Sequence, residues 1–124
     1  MAKILVVDDN ELVRATTRTI LQSAGHEVDE AADGESALKY VASSVPELVL
    51  TDIVMPNKEG IGLILELRRA GYKGAIIAMS GGGKIGPSDL LTMARKLGAD
   101  DCMPKPFHRA DLIAKVAACL ERRG

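Results

Sequence analysis

Short apolar runs alternate along this chain with segments whose apolar residues recur at helical spacing. Residues 3–7 (Lys-Ile-Leu-Val-Val) make the first run and predict a buried strand. Asn10 then stands as an N-cap for a helix with the apolar stripe Leu12, Val13, Thr16, Ile20, Leu21 and Ala24, and Gly25 stops it. Residues 27–31 (Glu-Val-Asp-Glu-Ala) are short and polar, as an edge strand tends to be. Asp33 caps a second predicted helix through about Ser43, with Ala37, Leu38 and Val41 inward. Residues 48–51 predict a third buried strand, followed by turn residues and a helix from about Gly60 to Ala70 that ends at Gly71. Residues 75–79 (Ala-Ile-Ile-Ala-Met) predict a fourth strand, and Ser80 to Pro87 a Gly-rich loop. A fourth helix, from about Ser88 to Leu97, carries Leu90, Leu91, Ala94 and Leu97 on one face, and Gly98 closes it. Residues 100–103 predict a short fifth strand. The last helix, from about Arg109 to Glu121, is expected to bury Leu112, Ile113, Val116, Ala117 and Leu120.

Five βα units in a row require a parallel sheet with helices on both faces. Right-handed crossovers restrict the winding. The expected fold is therefore α/β, a doubly wound five-stranded parallel sheet of order 2-1-3-4-5, flavodoxin-like, with the polar second strand at one edge. The 124 residues fit one domain, taken as residues 1–124. Hydrophobic residues make up 47% of the chain but aromatics only 2%, so the core must be aliphatic. The net charge is −1 and the only aromatics are Tyr40, Tyr72 and Phe107. Neither a broad basic footprint nor a base-stacking platform is present, which argues against nucleic acid as a partner. No apolar stretch is long enough to span a bilayer, and the first residues lack a signal-peptide pattern. Cys102 and Cys119 do not make a disulfide framework. Together these features predict a cytoplasmic protein with no membrane partner.

Ligands of open α/β sheets bind outside the carboxyl ends of the strands, where the strand order reverses. Strand 1 ends in Asp8-Asp9, strand 3 in Asp52, strand 4 in Ser80 and strand 5 at Lys105. With strands 1 and 3 as neighbours, three carboxylates converge, with a hydroxyl and an ammonium beside them. Such carboxylates repel one another, and a hard divalent cation would relieve that. A carboxylate can also act as a nucleophile toward phosphorus, with Lys105, Ser80 and loop N–H groups neutralising the transferred group. Each residue has an ordinary reading too. Asp8-Asp9 could cap the first helix, Asp52 could be a turn residue, Ser80 loop filler and Lys105 a solvated charge. Their coincidence at one end of four strands favours the chemical reading. Gly81-Gly82-Gly83 is not a P-loop, because the G-x-x-x-x-G-K-[ST] pattern is absent.

As an ordered set these residues resemble the receiver domain of two-component response regulators. The matching motifs are Val6-Val7-Asp8-Asp9-Asn10, Thr51-Asp52-Ile53-Val54-Met55-Pro56, Ser80, Gly98-Ala99-Asp100-Asp101 and Lys105-Pro106-Phe107. The likeness covers essentially the whole chain. It implies that Asp52 is the phosphorylated aspartate. It implies Mg²⁺ (or Mn²⁺) held by Asp9 directly, by Asp8 directly or through water, by Asp52 and by the backbone carbonyl of Val54. Ser80 matches the hydroxyl residue that turns toward the phosphoryl group, Gly81 offers its backbone there, and Lys105 matches the lysine that contacts a phosphoryl oxygen. The Lys105-Pro106 bond resembles a cis peptide of the family.

Two departures from the family pattern stand out. The position three before the lysine usually carries Tyr or Phe, and here it is Cys102, expected as a small buried hydrophobe. The run Gly81-Gly82-Gly83-Lys84-Ile85-Gly86-Pro87 is about three residues longer than usual, and its glycines predict a mobile loop. The resemblance implies a phosphodonor that is a histidine kinase or histidine phosphotransfer protein. It also implies a downstream protein bound through the helix 4–strand 5–helix 5 face. The chain stops after Glu121-Arg122-Arg123-Gly124, so a stand-alone switch is expected, its output being protein binding or the draining of phosphate from a relay. It would not be an enzyme beyond catalysing its own phosphorylation and dephosphorylation. The alternatives are a degenerate receiver that binds a partner without phosphorylation, and a piece of a longer regulator. A metal-dependent phosphatase would need an acid–base carboxylate two residues after Asp52, where Val54 stands.

Overall fold

The computed structural model of the chain describes residues 2–53, 59–81 and 87–123. Strands and helices alternate as β1 (Lys3–Val7), α1 (Glu11–Ser23), β2 (Glu27–Ala31), α2 (Gly34–Ser44), β3 (Leu48–Asp52), α3 (Glu59–Arg69), β4 (Ala75–Gly81), α4 (Pro87–Leu97), β5 (Asp101–Lys105) and α5 (Arg109–Arg123). All pairings are parallel, in the order β2-β1-β3-β4-β5, as the sequence predicts. The order reverses between β1 and β3, which opens a crevice at their carboxyl ends.

The two-residue period of the strands sorts the core. Leu5, Val7, Val49, Ile76, Ala78 and Cys102 lie in one cluster, with Ala37, Leu63, Ile64, Leu67 and Ala94 from α2, α3 and α4. Ile4, Val6, Leu48, Leu50, Ile77, Met79 and Met103 lie in the other, with Leu21 of α1 and Leu112, Val116 and Cys119 of α5. The register Ile4–Leu48–Ala75 and Leu5–Val49–Ile76 keeps each row on one face. Burial on both faces is why these strands read as unbroken apolar runs.

Asn10 caps α1 by accepting the N–H of Val13 at 3.1 Å, and Asp33 caps α2 by accepting that of Ser36 at 2.8 Å. Three helices end alike. Gly25, Gly71 and Gly98 have positive φ, and each donates its N–H to a carbonyl three residues back. The next residue reaches five back, which is a Schellman closure. At Gly98 (φ 110°) a Cβ would also stand 2.8 Å from Cγ of Arg68. Arg68 needs that space. Its guanidinium donates to the carbonyls of Gly98, Tyr72 and Gly74 at 2.8–2.9 Å and to Asp100 at 3.2 Å, tying α3 to the turns before β4 and β5.

Two helix faces differ from expectation. In α1 the buried positions are Thr17 and Leu21, flanked by half-buried Val13 and Ile20. Leu12 is 76% exposed, and Thr16 and Ala24 face outward. Thr17 can be buried because its hydroxyl donates to the carbonyl of Val13 at 2.7 Å. In α5, Ala117 is exposed and Cys119 takes the inward place, since residues 112, 116 and 119 share a face at 3.6 residues per turn. Three strands also run longer than expected, β3 by reaching Asp52. β5 extends to Lys105, and Ser80 and Gly81 belong to β4 rather than to a loop.

α2 ends without a glycine. Val45 takes φ +35° ahead of Pro46, a left-handed conformation that a β-branched residue avoids. It is 64% exposed, so little burial offsets the strain. Val45→Gly is expected to raise the unfolding free energy by about 0.5–1 kcal/mol, the relieved strain less the added chain entropy. Urea denaturation would check it, and a loss of stability would show that Val45 is not strained.

His26 carries a pH dependence. Its Nδ1 accepts the N–H of Ala2 at 3.1 Å, which requires the neutral ring, and burial holds its pKa below the usual 6.5. The unfolded chain therefore takes up the proton first as pH falls. Stability present above pH 6.5 is lost below it, down through the lower folded value. Denaturation across that window should weaken the wild type more than His26→Asn, which keeps an acceptor and does not titrate. Parallel curves would remove His26 as the cause.

Candidate functional site

Asp8 follows Val6 by the two-residue period of a strand, Asp52 follows Leu50 and Lys105 follows Met103. All three therefore leave the carboxyl end of the sheet on the side of α1 and α5. There they meet. Lys105 Nζ donates to Asp8 Oδ2 at 2.8 Å and to Asp52 Oδ2 at 2.9 Å. Asp8 is fully buried and Asp52 is 5% exposed, so these are charges removed from water and compensated by pairing. The second oxygen of Asp8 accepts the N–H of Asn10 at 2.9 Å. Asp9 is exposed on the rim. Oxygens from Asp8, Asp9 and Asp52 lie within 4.8 Å of one another.

Three carboxylates face one ammonium here. Burial alone would lower the pKa of Lys105, but its bonds to Asp8 and Asp52 outweigh that, and the net direction is upward. Lys105 is thus held as an ammonium at neutral pH. A negative charge excess remains, carried by hard oxygen donors with one carboxylate open to solvent. That donor set fits a hard divalent cation such as Mg²⁺, which favours a few carboxylates together with water. Val54, whose carbonyl is expected among the ligands, lies outside the described residues.

The other expected residues are placed as follows. Ser80 is buried near the end of β4, one residue beyond Met79, which pairs in register with Asp52. Gly81 ends β4 opposite Lys105. The Lys105-Pro106 peptide is cis. Cys102 is buried opposite Ala78 and packs among Ala94 and Ala99, the small-hydrophobe role expected of it. Burial first, then the Asp101 carboxylate, pushes its thiol pKa up, which disfavours the reactive thiolate. The run 82–86, expected to be mobile, lies outside the described residues.

Arg14 was not among the expected site residues. From α1 its Nη1 donates to the backbone carbonyl of Asp8 at 2.8 Å, and its Nε donates to Glu30 of β2 at 3.0 Å. Its sequence signal was only an arginine four residues after an N-cap, which is commonplace on a helix. Beside Lys105, a groove of about 410 Å³ is lined by Val13, Thr16, Thr17, Pro106 and Phe107.

Comparison with known proteins bears on this arrangement. Residues 4–117 match the family model described as the response regulator receiver domain. The chain is 37% identical over 122 residues to the transcriptional regulatory protein CpxR of Klebsiella pneumoniae, covering 98% of this chain and 50% of that protein. It spans about half the length of the curated relatives it matches. Among solved structures it is similar to the receiver domain of the Francisella response regulator 1452, with a TM-score of 0.89, 27% identity and all of both chains covered. NtrX of Brucella abortus in complex with ADP superposes with a TM-score of 0.88 at 34% identity, over 98% of this chain and 26% of that one. The chain that sets Asp8, Asp52 and Lys105 in contact at the switch point of a 2-1-3-4-5 sheet belongs to the response regulator receiver domains.

Proposed function

We propose that this chain accepts a phosphoryl group on Asp52 from a phosphohistidine of a histidine kinase or histidine phosphotransfer protein. The observation that carries this reading is the pairing of buried Asp52 with Lys105, beside two further carboxylates. In the transfer, an Asp52 carboxylate oxygen forms the new bond to phosphorus. The phosphorus–nitrogen bond of the donor breaks, and its electron pair stays on the imidazole nitrogen. Lys105 supplies a fixed positive charge for a phosphoryl oxygen, with the Ser80 hydroxyl and the Gly81 N–H as further donors. Asp8, Asp9, Asp52 and the Val54 carbonyl would hold a Mg²⁺ or Mn²⁺ ion, which supplies charge neutralisation for the transferred group. The apolar groove beside Lys105 gives the donor protein a surface to rest on.

The chemistry is self-directed: the chain catalyses only the transfer of the donor's phosphoryl group to its own Asp52 and its later hydrolysis. The output is a change in protein binding on the α4–β5–α5 face. With Cys102 buried where an aromatic ring would move, Ser80 and the end of β4 are left to carry the signal to that face. A cytoplasmic site accords with two unpaired cysteines and with the absence, among the described residues, of a helix long and apolar enough to cross a membrane. Incubation with Mg²⁺ and acetyl phosphate tests the reading by mass spectrometry. A gain of one phosphoryl group is expected, and no gain with any phosphodonor would reduce the chain to a binding module.

A further inference from the structure

The acceptor crevice is held from behind by a charged strut that the proposed chemistry does not use. Asp9, the carboxylate open to solvent, sits between two fixed backbone points. One is Asn10, whose N–H is bound by Asp8 and whose side chain caps α1. The other is the Asp8 peptide, whose N–H donates to the carbonyl of Ala31 at 3.2 Å and whose carbonyl accepts from Arg14 at 2.8 Å. Arg14 is held in its turn. Its Nε meets Glu30 Oε1 at 3.0 Å, while Arg18 takes Glu30 Oε2 at 2.9 Å. The Arg14 side chain is 16% exposed, against 42% for Arg18, so only the former is set firmly in the protein.

We infer that Arg14 is a positioning residue for the cation site: it locks the Asp8–Asp9 peptide so that the two carboxylates are presented together. The inference rests on the metal-binding reading given above. Groups behind metal ligands orient them, and their loss typically weakens metal affinity by about 10–100-fold. Arg14 gives an unusually clear sign to that effect. As a cation bound to the Asp8 backbone beside the site it repels Mg²⁺, so simple removal of its charge would tighten binding. Positioning predicts the reverse.

The test is titration calorimetry of Mg²⁺ into the folded domain, without any phosphodonor. Arg14→Met is expected to weaken Mg²⁺ by about tenfold. Arg14→Lys keeps the charge, but a single ammonium lacks the planar fork that serves Asp8 and Glu30 at once, so it should weaken binding similarly. Arg18→Met removes the neighbouring partner of Glu30 without touching Asp8, and should stay within about twofold of wild type. Unchanged or tighter Mg²⁺ binding in Arg14→Met would overturn the inference. So would an equal loss in Arg18→Met, because that would mark a general effect of the Glu30 ion pairs. If Arg14→Met does not fold, Arg14→Lys decides alone by the same criterion. A wild-type chain that binds no Mg²⁺ would instead bring down the metal reading and this inference with it.

Discussion

Asp52→Asn is expected to abolish the mass gain that acetyl phosphate and Mg²⁺ produce in the wild type. The carboxamide has nearly the shape of the carboxylate, so the fold should survive, with Asp8 still bonded to Lys105. What is lost is the nucleophile, because an amide oxygen is a far weaker donor to phosphorus than a carboxylate oxygen. Residual signal should fall by at least about a hundredfold, on the scale of losing a group that forms the covalent bond. The nature of the adduct gives a second check. An aspartyl phosphate is an acyl phosphate and is cleaved by hydroxylamine, whereas a phosphate ester on Ser80 or Thr51 is not. A stable, hydroxylamine-resistant adduct that persists in Asp52→Asn would move the acceptor to a hydroxyl and end the Asp52 reading.

Lys105→Met should have the next largest effect, and its size depends on whether a divalent cation is present. Lys105 Nζ bridges Asp8 and Asp52, whose side chains are 0% and 7% exposed. Removing one partner of a buried pair leaves charge uncompensated, and the expected cost is about 3 kcal/mol. The same vacated space makes the carboxylates freer to meet a cation. Mg²⁺ should therefore stabilise the variant more than the wild type, since binding to the folded state alone contributes RT ln(1 + [L]/Kd), about 2.7 kcal/mol at a hundredfold excess over Kd. Thermal melts with EDTA and with Mg²⁺ check both parts. Transfer from acetyl phosphate should still be slower, because the fixed positive charge on the phosphoryl oxygen is gone. A variant with wild-type stability in EDTA would show that the Lys105 bonds contribute nothing net, which would contradict the buried pairing.

Most of this fold is legible in the sequence because its elements are marked by local chemistry. Asn10 and Asp33 announce helix starts with short side chains that accept an early N–H. Gly25, Gly71 and Gly98 announce ends because the closing turn needs positive φ. The apolar runs of β1, β3 and β4 follow from burial on both faces. Errors arose where polarity and burial part company. Leu12 reads as core but is exposed, while Thr17, outside the expected stripe, is buried with its hydroxyl satisfied by its own helix. Ala117 and Cys119 were exchanged for a related reason, since small residues say little about which side of a helix they occupy.

The site divides along the same line. The sequence by itself determined that Asp8, Asp9, Asp52, Ser80 and Lys105 stand at the carboxyl ends of strands, because strand period and strand ends are local properties. Only the tertiary structure decided that Lys105 bridges Asp8, 97 positions away, and Asp52, 53 positions away. It alone showed Arg14 reaching across to the Asp8 carbonyl and to Glu30. Those contacts depend on strand order and on which face of α1 turns inward. Both are settled by burying two sides of one sheet together, and no local window of the chain contains that constraint.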